Sequence, residues 1–81
     1  MKKISLIGAT GSIGRQVCAV ARRYPDKFRI VSMAADRSAE DFLKLIEEFR
    51  PEYAALADEK AADKIADGIP EGVRFAGGAA A

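Results

Sequence analysis

Gly8-Ala9-Thr10-Gly11-Ser12-Ile13-Gly14 follows the apolar run Ile4 to Ile7 and opens into a helical pattern from Arg15 to Arg23. A strand that turns on glycines into a helix leaves the first N–H groups of that helix without intrahelical partners. They point the same way as the positive end of the helix dipole, so the turn suits a phosphate group. In this reading Gly8 allows the tight turn, Gly11 the approach of backbone to the anion, and Gly14 the packing of helix against sheet. Thr10 and Ser12 add hydroxyl donors beside the backbone. The spacing of 8, 11 and 14 differs from the commonest dinucleotide fingerprint, so the context carries the reading: strand before, helix after, both near the N-terminus. The bland alternative is a glycine-rich strand-to-helix turn that binds nothing.

Working outward, residues 3–7 read as a buried central strand, judged by Ile4, Leu6 and Ile7. Residues 12–23 read as a helix, with Ile13, Val17, Val20 and Tyr24 recurring at helical spacing. Pro25-Asp26 stops it. Phe28 to Ala34 is a second strand, apolar enough to be covered on both faces. Ser38 is an expected N-cap, with Asp41 three residues on, for a helix whose stripe is Phe42, Leu45, Ile46 and Phe49. Glu40, Asp41, Lys44, Glu47, Glu48 and Arg50 read as its solvated face. Pro51 ends it. Tyr53 to Ala57 is a short third strand, Asp58 caps a short helix through Ala66, and Val73 to Phe75 suggest a fourth strand. Strands alternating with helices indicate an α/β fold, the first half of a doubly wound, Rossmann-like parallel sheet in the order β-α-β-α-β-α-β. Its ligand crevice lies beyond the C-terminal end of the first strand, at a topological switch point.

The bulk numbers exclude several functions. With 13 basic and 12 acidic residues the net charge is +1, which gives no electrostatic basis for binding nucleic acid or a membrane surface. Histidine is absent, and Cys18 is the only cysteine, so no imidazole base and no cysteine-rich metal site lies in these residues. Cys18 reads as a small packing residue. No apolar run approaches the roughly 20 residues of a membrane span. The Met1-Lys2-Lys3 start is followed by an apolar run cut at once by Gly8, so the chain reads as cytoplasmic.

A second site follows the second strand. Asp36-Arg37-Ser38 lies about 22 residues beyond Gly14, where dinucleotide folds read the adenosine ribose. An acid there favours NAD, and a cation there favours the 2′-phosphate of NADP. This chain carries both: Arg37 with Ser38 argues for NADP, and an inward Asp36 argues against it. Asp36 facing solvent and Ser38 merely capping the helix is the bland alternative.

The local details resemble one family. The 1-deoxy-D-xylulose 5-phosphate reductoisomerase family reads as an apolar strand, G-[SA]-T-G-S-I-G, a helix, N-P-x-x-F-x-V, an A-G-[KR]-N turn, and E-F-x-P. The matching positions are Gly8 to Gly14, Pro25, Phe28-Arg29-Ile30-Val31, Ala35, Arg37 and Glu48-Phe49-Arg50-Pro51. The resemblance implies an NADPH-dependent oxidoreductase that converts a phosphosugar, 1-deoxyxylulose 5-phosphate, to 2-C-methylerythritol 4-phosphate in isoprenoid synthesis. It implies a divalent metal, Mn²⁺ or Mg²⁺, held by residues outside this chain, and a homodimer. It carries cofactor binding over to Thr10, Gly11, Ser12, Ile13, Arg37 and Ser38. No catalytic or metal-binding residue is assigned within residues 1–81. Two positions depart from the pattern: the family's glycine is Asp36 and its asparagine is Ser38. If that glycine serves a positive φ, aspartate there carries some strain.

The run Gly77-Gly78-Ala79-Ala80-Ala81 reads as the opening of a further loop and helix, and so as a truncated chain whose first strand has an open edge. Residues 1–81 are then the N-terminal part of an NADP(H)-binding domain, inactive alone. Two other readings stand beside it. One is a different NAD(P)-dependent oxidoreductase with a G-A-T-G turn. The other is a nucleotide-binding module without catalysis.

Overall fold

The computed structural model describes residues 1–78. Four strands, β1 (Lys2–Ile7), β2 (Phe28–Ala35), β3 (Tyr53–Leu56) and β4 (Arg74–Gly77), alternate with helices α1 (Ser12–Arg23), α2 (Ala39–Phe49) and α3 (Glu59–Ile65). A 3-10 turn at Ala66–Gly68 follows α3. The strands form one parallel sheet in the order β1-β2-β3-β4. The expected α/β order is present, with boundaries displaced by no more than two residues. Ala79 to Ala81, part of the expected further loop and helix, lie outside the described residues.

Every crossover steps the same way along the sheet. Right-handed connections then place all three helices on one face. That face holds the core: Leu6, Ile30, Met33, Ala54 and Leu56 from the strands, with Phe42 and Ile46 from α2 and Ala61, Ala62 and Ile65 from α3. The opposite face carries Ser5, Ile7, Ser32, Ala34, Tyr53 and Ala55, and no described element covers it. This corrects two expectations. β2 is covered on one face only, so Val31, Ser32 and Ala34 stay half-buried. β1 has the open edge expected for it, but the burial expected of a central strand is not found, and Ile7 is 87% exposed. The order also shows no reversal among the described strands, so the expected topological switch is not found there.

The buried face of α1 differs from the expected stripe as well. Gly14, Cys18 and Ala21 are its buried residues, whereas Ile13, Val20 and Tyr24 are exposed. The cause is steric. A Cβ on Gly14 would lie 2.3 Å from the Gly8 carbonyl oxygen and 2.6 Å from that of Ala9. Only small residues fit where the helix approaches so closely, so the larger apolar side chains swing toward the free edge of β1. There Ile13, Val17 and Val20 line an open apolar groove with Ile4 and Phe28. Cys18 is the small packing residue expected, buried in the core, and burial pushes its thiol pKa up.

α2 follows its sequence pattern more closely. Phe42 and Ile46 are fully buried, and Leu45 and Phe49 pack against the core from its margin. Its C-cap Arg50 sits in the left-handed region, with φ 43°, and donates its backbone N–H to the Ile46 carbonyl at 2.8 Å. Glu48 is more than part of a solvated face. It holds the Arg22 guanidinium through both oxygens, with one contact at 2.6 Å, and Arg22 also lies 5.5 Å from the Phe49 ring centroid. α1 and α2 are thereby clamped together at their C-terminal ends.

Candidate functional site

In a parallel sheet every strand ends at the same rim. β1 and β2 are neighbours, with Ile7 opposite Ala34, so the turns that follow them lie side by side. The structure therefore brings together the two stretches singled out in the sequence, residues 8–14 and 36–38. The glycine turn is anchored to β2 by Ala9, which is fully buried and donates its N–H to the Ala34 carbonyl at 2.9 Å. Gly8 has φ +71°, a conformation that disfavours any side chain, so the tight turn needs glycine at this position. Gly11 is different: its φ of −81° is ordinary, and a Cβ there would meet the Gly8 oxygen at 3.4 Å. Gly14 lets the helix start sit directly on the turn.

Gly11 is the N-cap of α1 and offers no side-chain cap, and the first turn contains no acidic residue. The N–H groups of Ser12, Ile13 and Gly14 precede the first carbonyl a helix can offer them. Thr10 is half-buried, and Gly11 and Ser12 are exposed beside it. The Ile13 side chain is 75% exposed, so its contribution to an anion site is the backbone alone.

Asp36, Arg37 and Ser38 are all exposed at the neighbouring turn. Asp36 does not have a positive φ, so replacing the family's glycine brings no strain of the kind considered above. Its carbonyl accepts the Asp58 N–H at 2.8 Å, which ties this turn to the start of α3. Ser38 occupies the N-cap position of α2 but makes no side-chain cap hydrogen bond. Its φ of −78° and ψ of 76° form an inverse γ-turn, in which the Ala39 N–H goes to the Arg37 carbonyl at 2.9 Å. That local bond replaces the expected cap and leaves the Ser38 hydroxyl for another partner. The cap expected at α3 does form, with the Asp58 carboxylate accepting the Ala61 N–H at 3.0 Å.

One residue of this region escapes the sequence reading. Arg15 donates from Nε to the Thr10 carbonyl at 3.2 Å, and its terminal nitrogen lies 3.5 Å from the Asp41 carboxylate of α2. The only signal for it is a cation in a helix first turn that has no acid. The clear ionisation shifts lie elsewhere. Glu48 is held below the usual carboxylate range mainly by its hydrogen bonds to Arg22, and Arg22 is raised by the same contact. That pair sits roughly 15 Å of helix away from Ser12, at the opposite end of α1. Among the described residues no three His, Cys, Asp or Glu side chains gather in a way that could hold a metal ion. Nor is any described helix long and apolar enough to cross a membrane.

Comparison with known proteins agrees with this fold. The family model described as 1-deoxy-D-xylulose 5-phosphate reductoisomerase matches residues 4–80. A reductoisomerase of that name from Cyanothece sp. (strain PCC 7425) is 47% identical over 81 residues, covering 95% of this chain and 21% of the relative. Among solved structures, the enzyme from Zymomonas mobilis in complex with NADPH superposes with a TM-score of 0.85 at 23% identity, over 95% of this chain and 21% of that one. A second reductoisomerase, in complex with NADPH, fosmidomycin and magnesium, gives 0.80 at 26% identity over 96% of this chain and 20% of that one. The chain thus spans about a fifth of the length of these relatives.

Proposed function

The chain belongs to the 1-deoxy-D-xylulose 5-phosphate reductoisomerase family, and from that premise we propose that residues 1–81 are the N-terminal part of its NADPH-binding domain. The whole protein, on this reading, converts 1-deoxy-D-xylulose 5-phosphate to 2-C-methyl-D-erythritol 4-phosphate in isoprenoid synthesis. The observation that carries the proposal is the junction of β1 and α1: a turn with a left-handed Gly8 and a helix start seated on it through Gly14.

NADPH supplies the hydride for the reduction when bound. The residues of this chain bind and orient it. The N–H groups of Ser12, Ile13 and Gly14, aligned with the α1 dipole, suit the pyrophosphate, with the Thr10 and Ser12 hydroxyls beside them. Arg37 supplies a cation for the 2′-phosphate, and the uncommitted Ser38 hydroxyl a donor next to it. Asp36 opposes that phosphate if its carboxylate turns inward. Among the described residues no three His, Cys, Asp or Glu side chains gather to hold a metal ion, and the roles proposed for this chain concern the nucleotide. The divalent ion, Mn²⁺ or Mg²⁺, and the homodimer rest on the family resemblance and belong to the same proposal, as does the cytoplasmic setting read from the sequence.

The test is to isolate the native gene product, titrate it with NADPH and NADH, and assay it with 1-deoxyxylulose 5-phosphate. NADPH oxidation that depends on the phosphosugar is expected. Nucleotide binding without turnover would favour a non-catalytic nucleotide-binding module. Asp36→Gly should shift the NADPH-to-NADH affinity ratio toward NADPH by about threefold to tenfold, the range of one charge interaction near a site. An unchanged ratio would show that Asp36 does not read the cofactor.

A further inference from the structure

Arg15 stands where helix stability does not want it. A cation in the first turn opposes the dipole, and α1 has no acid in that turn to offset it. Its ion pair with Asp41 has side chains 68% and 55% exposed, and pairs so open to solvent add little to folding. What the side chain does achieve is geometric. It folds back over one helical turn to the Thr10 carbonyl, in the middle of the glycine turn, while its other end reaches α2. Asp41 lies in the first turn of α2, directly after the Asp36-Arg37-Ser38 turn. Thr10, Arg15, Asp41 and Lys44 together line the groove between the two helices. One planar guanidinium thus links the glycine turn to the first turn of α2, the helix that follows Asp36-Arg37-Ser38.

We propose that Arg15 is a positioning residue of the nucleotide turn, bracing the Thr10 carbonyl while Asp41 fixes the guanidinium from α2. The proposal rests on the reading of residues 8–14 as the cofactor turn. Orientation of a peptide unit decides where its N–H points. A held Thr10 carbonyl fixes the Thr10–Gly11 peptide, and with it the entry of the chain into the N–H groups of α1. A fork-shaped cation can serve two partners at once, whereas the single ammonium of lysine holds one well. Because the turn faces the pyrophosphate, common to both nicotinamide cofactors, the brace acts on NADPH and NADH alike.

The experiment measures NADPH and NADH dissociation constants and the melting temperature of the native gene product, for wild type, Arg15→Ala, Arg15→Lys and Asp41→Asn. Arg15→Ala should weaken both nucleotides by a similar factor, about threefold to tenfold, as expected for the loss of one solvent-exposed hydrogen bond. Its melting temperature should stay within about 2 °C of wild type, or rise, since the helix loses an unfavourable charge. Arg15→Lys should recover only part of the affinity, and Asp41→Asn should show a smaller loss of the same kind. Three results overturn the proposal: unchanged affinity in Arg15→Ala, a loss confined to NADPH (a direct 2′-phosphate contact), or full recovery in Arg15→Lys (charge alone). A wild-type protein that binds neither nucleotide would instead remove the cofactor-turn reading itself, and the brace with it.

Discussion

α1 and α2 lie on the same face of the same sheet, yet they are held there by opposite means. α2 buries bulk: Phe42 and Ile46 are fully enclosed. α1 buries almost nothing large: Gly14, Cys18 and Ala21 make its contact. The difference sets what each helix can do. Large side chains anchor α2 on the sheet through fully enclosed apolar groups. Small ones let the backbone of α1 descend onto the turn that follows β1, which aims its first N–H groups past the strand end. One helix therefore contributes stability, and the other contributes position.

The widest break in that contrast comes from paired truncations. Phe42→Ala should cost about 4 kcal/mol, the usual range for a buried phenylalanine, and leave much of the protein unfolded at room temperature. Val20→Ala on α1, where the side chain is 46% exposed, should cost no more than about 0.5 kcal/mol. Denaturant melts of the two variants check this; equal losses would mean that α1 packs as α2 does. Gly14→Ala comes next. The added methyl overlaps backbone atoms at 2.3–2.7 Å, none of which is a flexible side-chain end. Overpacking of this kind costs about 1–3 kcal/mol. Its larger signature should be functional: lifting α1 off the turn should weaken NADPH by more than tenfold, about 1.4 kcal/mol, even in whatever fraction stays folded. Nucleotide titration at low temperature separates the two effects.

A smaller change acts on α2 in the stabilising direction. Arg50 holds φ at 43°, a region that costs a side chain roughly 1 kcal/mol and costs glycine little. Arg50→Gly should therefore raise stability by a few tenths to about 1 kcal/mol in a denaturant melt. The smallest effect sits at the clamp between the two helices. Glu48 is depressed in the folded state, so its contribution is fully present above the ordinary carboxylate pKa of about 4.3 and is lost as pH falls through its lower folded value. Melting curves of Glu48→Gln and wild type should differ slightly at neutral pH and converge in acid. Both partners are largely open to solvent, which keeps the difference small.

These outcomes bear on what the sequence can and cannot say. The alternation of strands and helices is legible because each element carries a strong local signal: the Phe42 to Phe49 stripe, the Asp58 cap, Pro25 and Pro51 as stops. The glycine turn is legible for the same reason. The buried face of α1 is not, because periodicity ranks residues by polarity while the close approach at Gly14 selects by volume. The bare second face of the sheet follows from the direction of successive crossovers, which no single segment encodes. Ser38 misleads because two local hydrogen-bonding schemes compete there, and the backbone bond of the γ-turn wins over the side-chain cap. Arg15 looks like one more surface cation in the sequence, since its reach back to Thr10 depends on the turn geometry.

The unbroken succession of β1 to β4 across the sheet has a further meaning for a chain that emerges from the ribosome N-terminus first. Each described strand after β1 pairs with the one translated just before it. No pairing among them waits for a distant segment, so the entropy of closing long loops is met in small steps. Both turns assigned to the cofactor, and the Arg15–Asp41 link between them, lie within the first 41 residues. Among the described strands the order of assembly can thus follow the order of synthesis, with the corner formed by these two turns complete before β3, α3 and β4 are made.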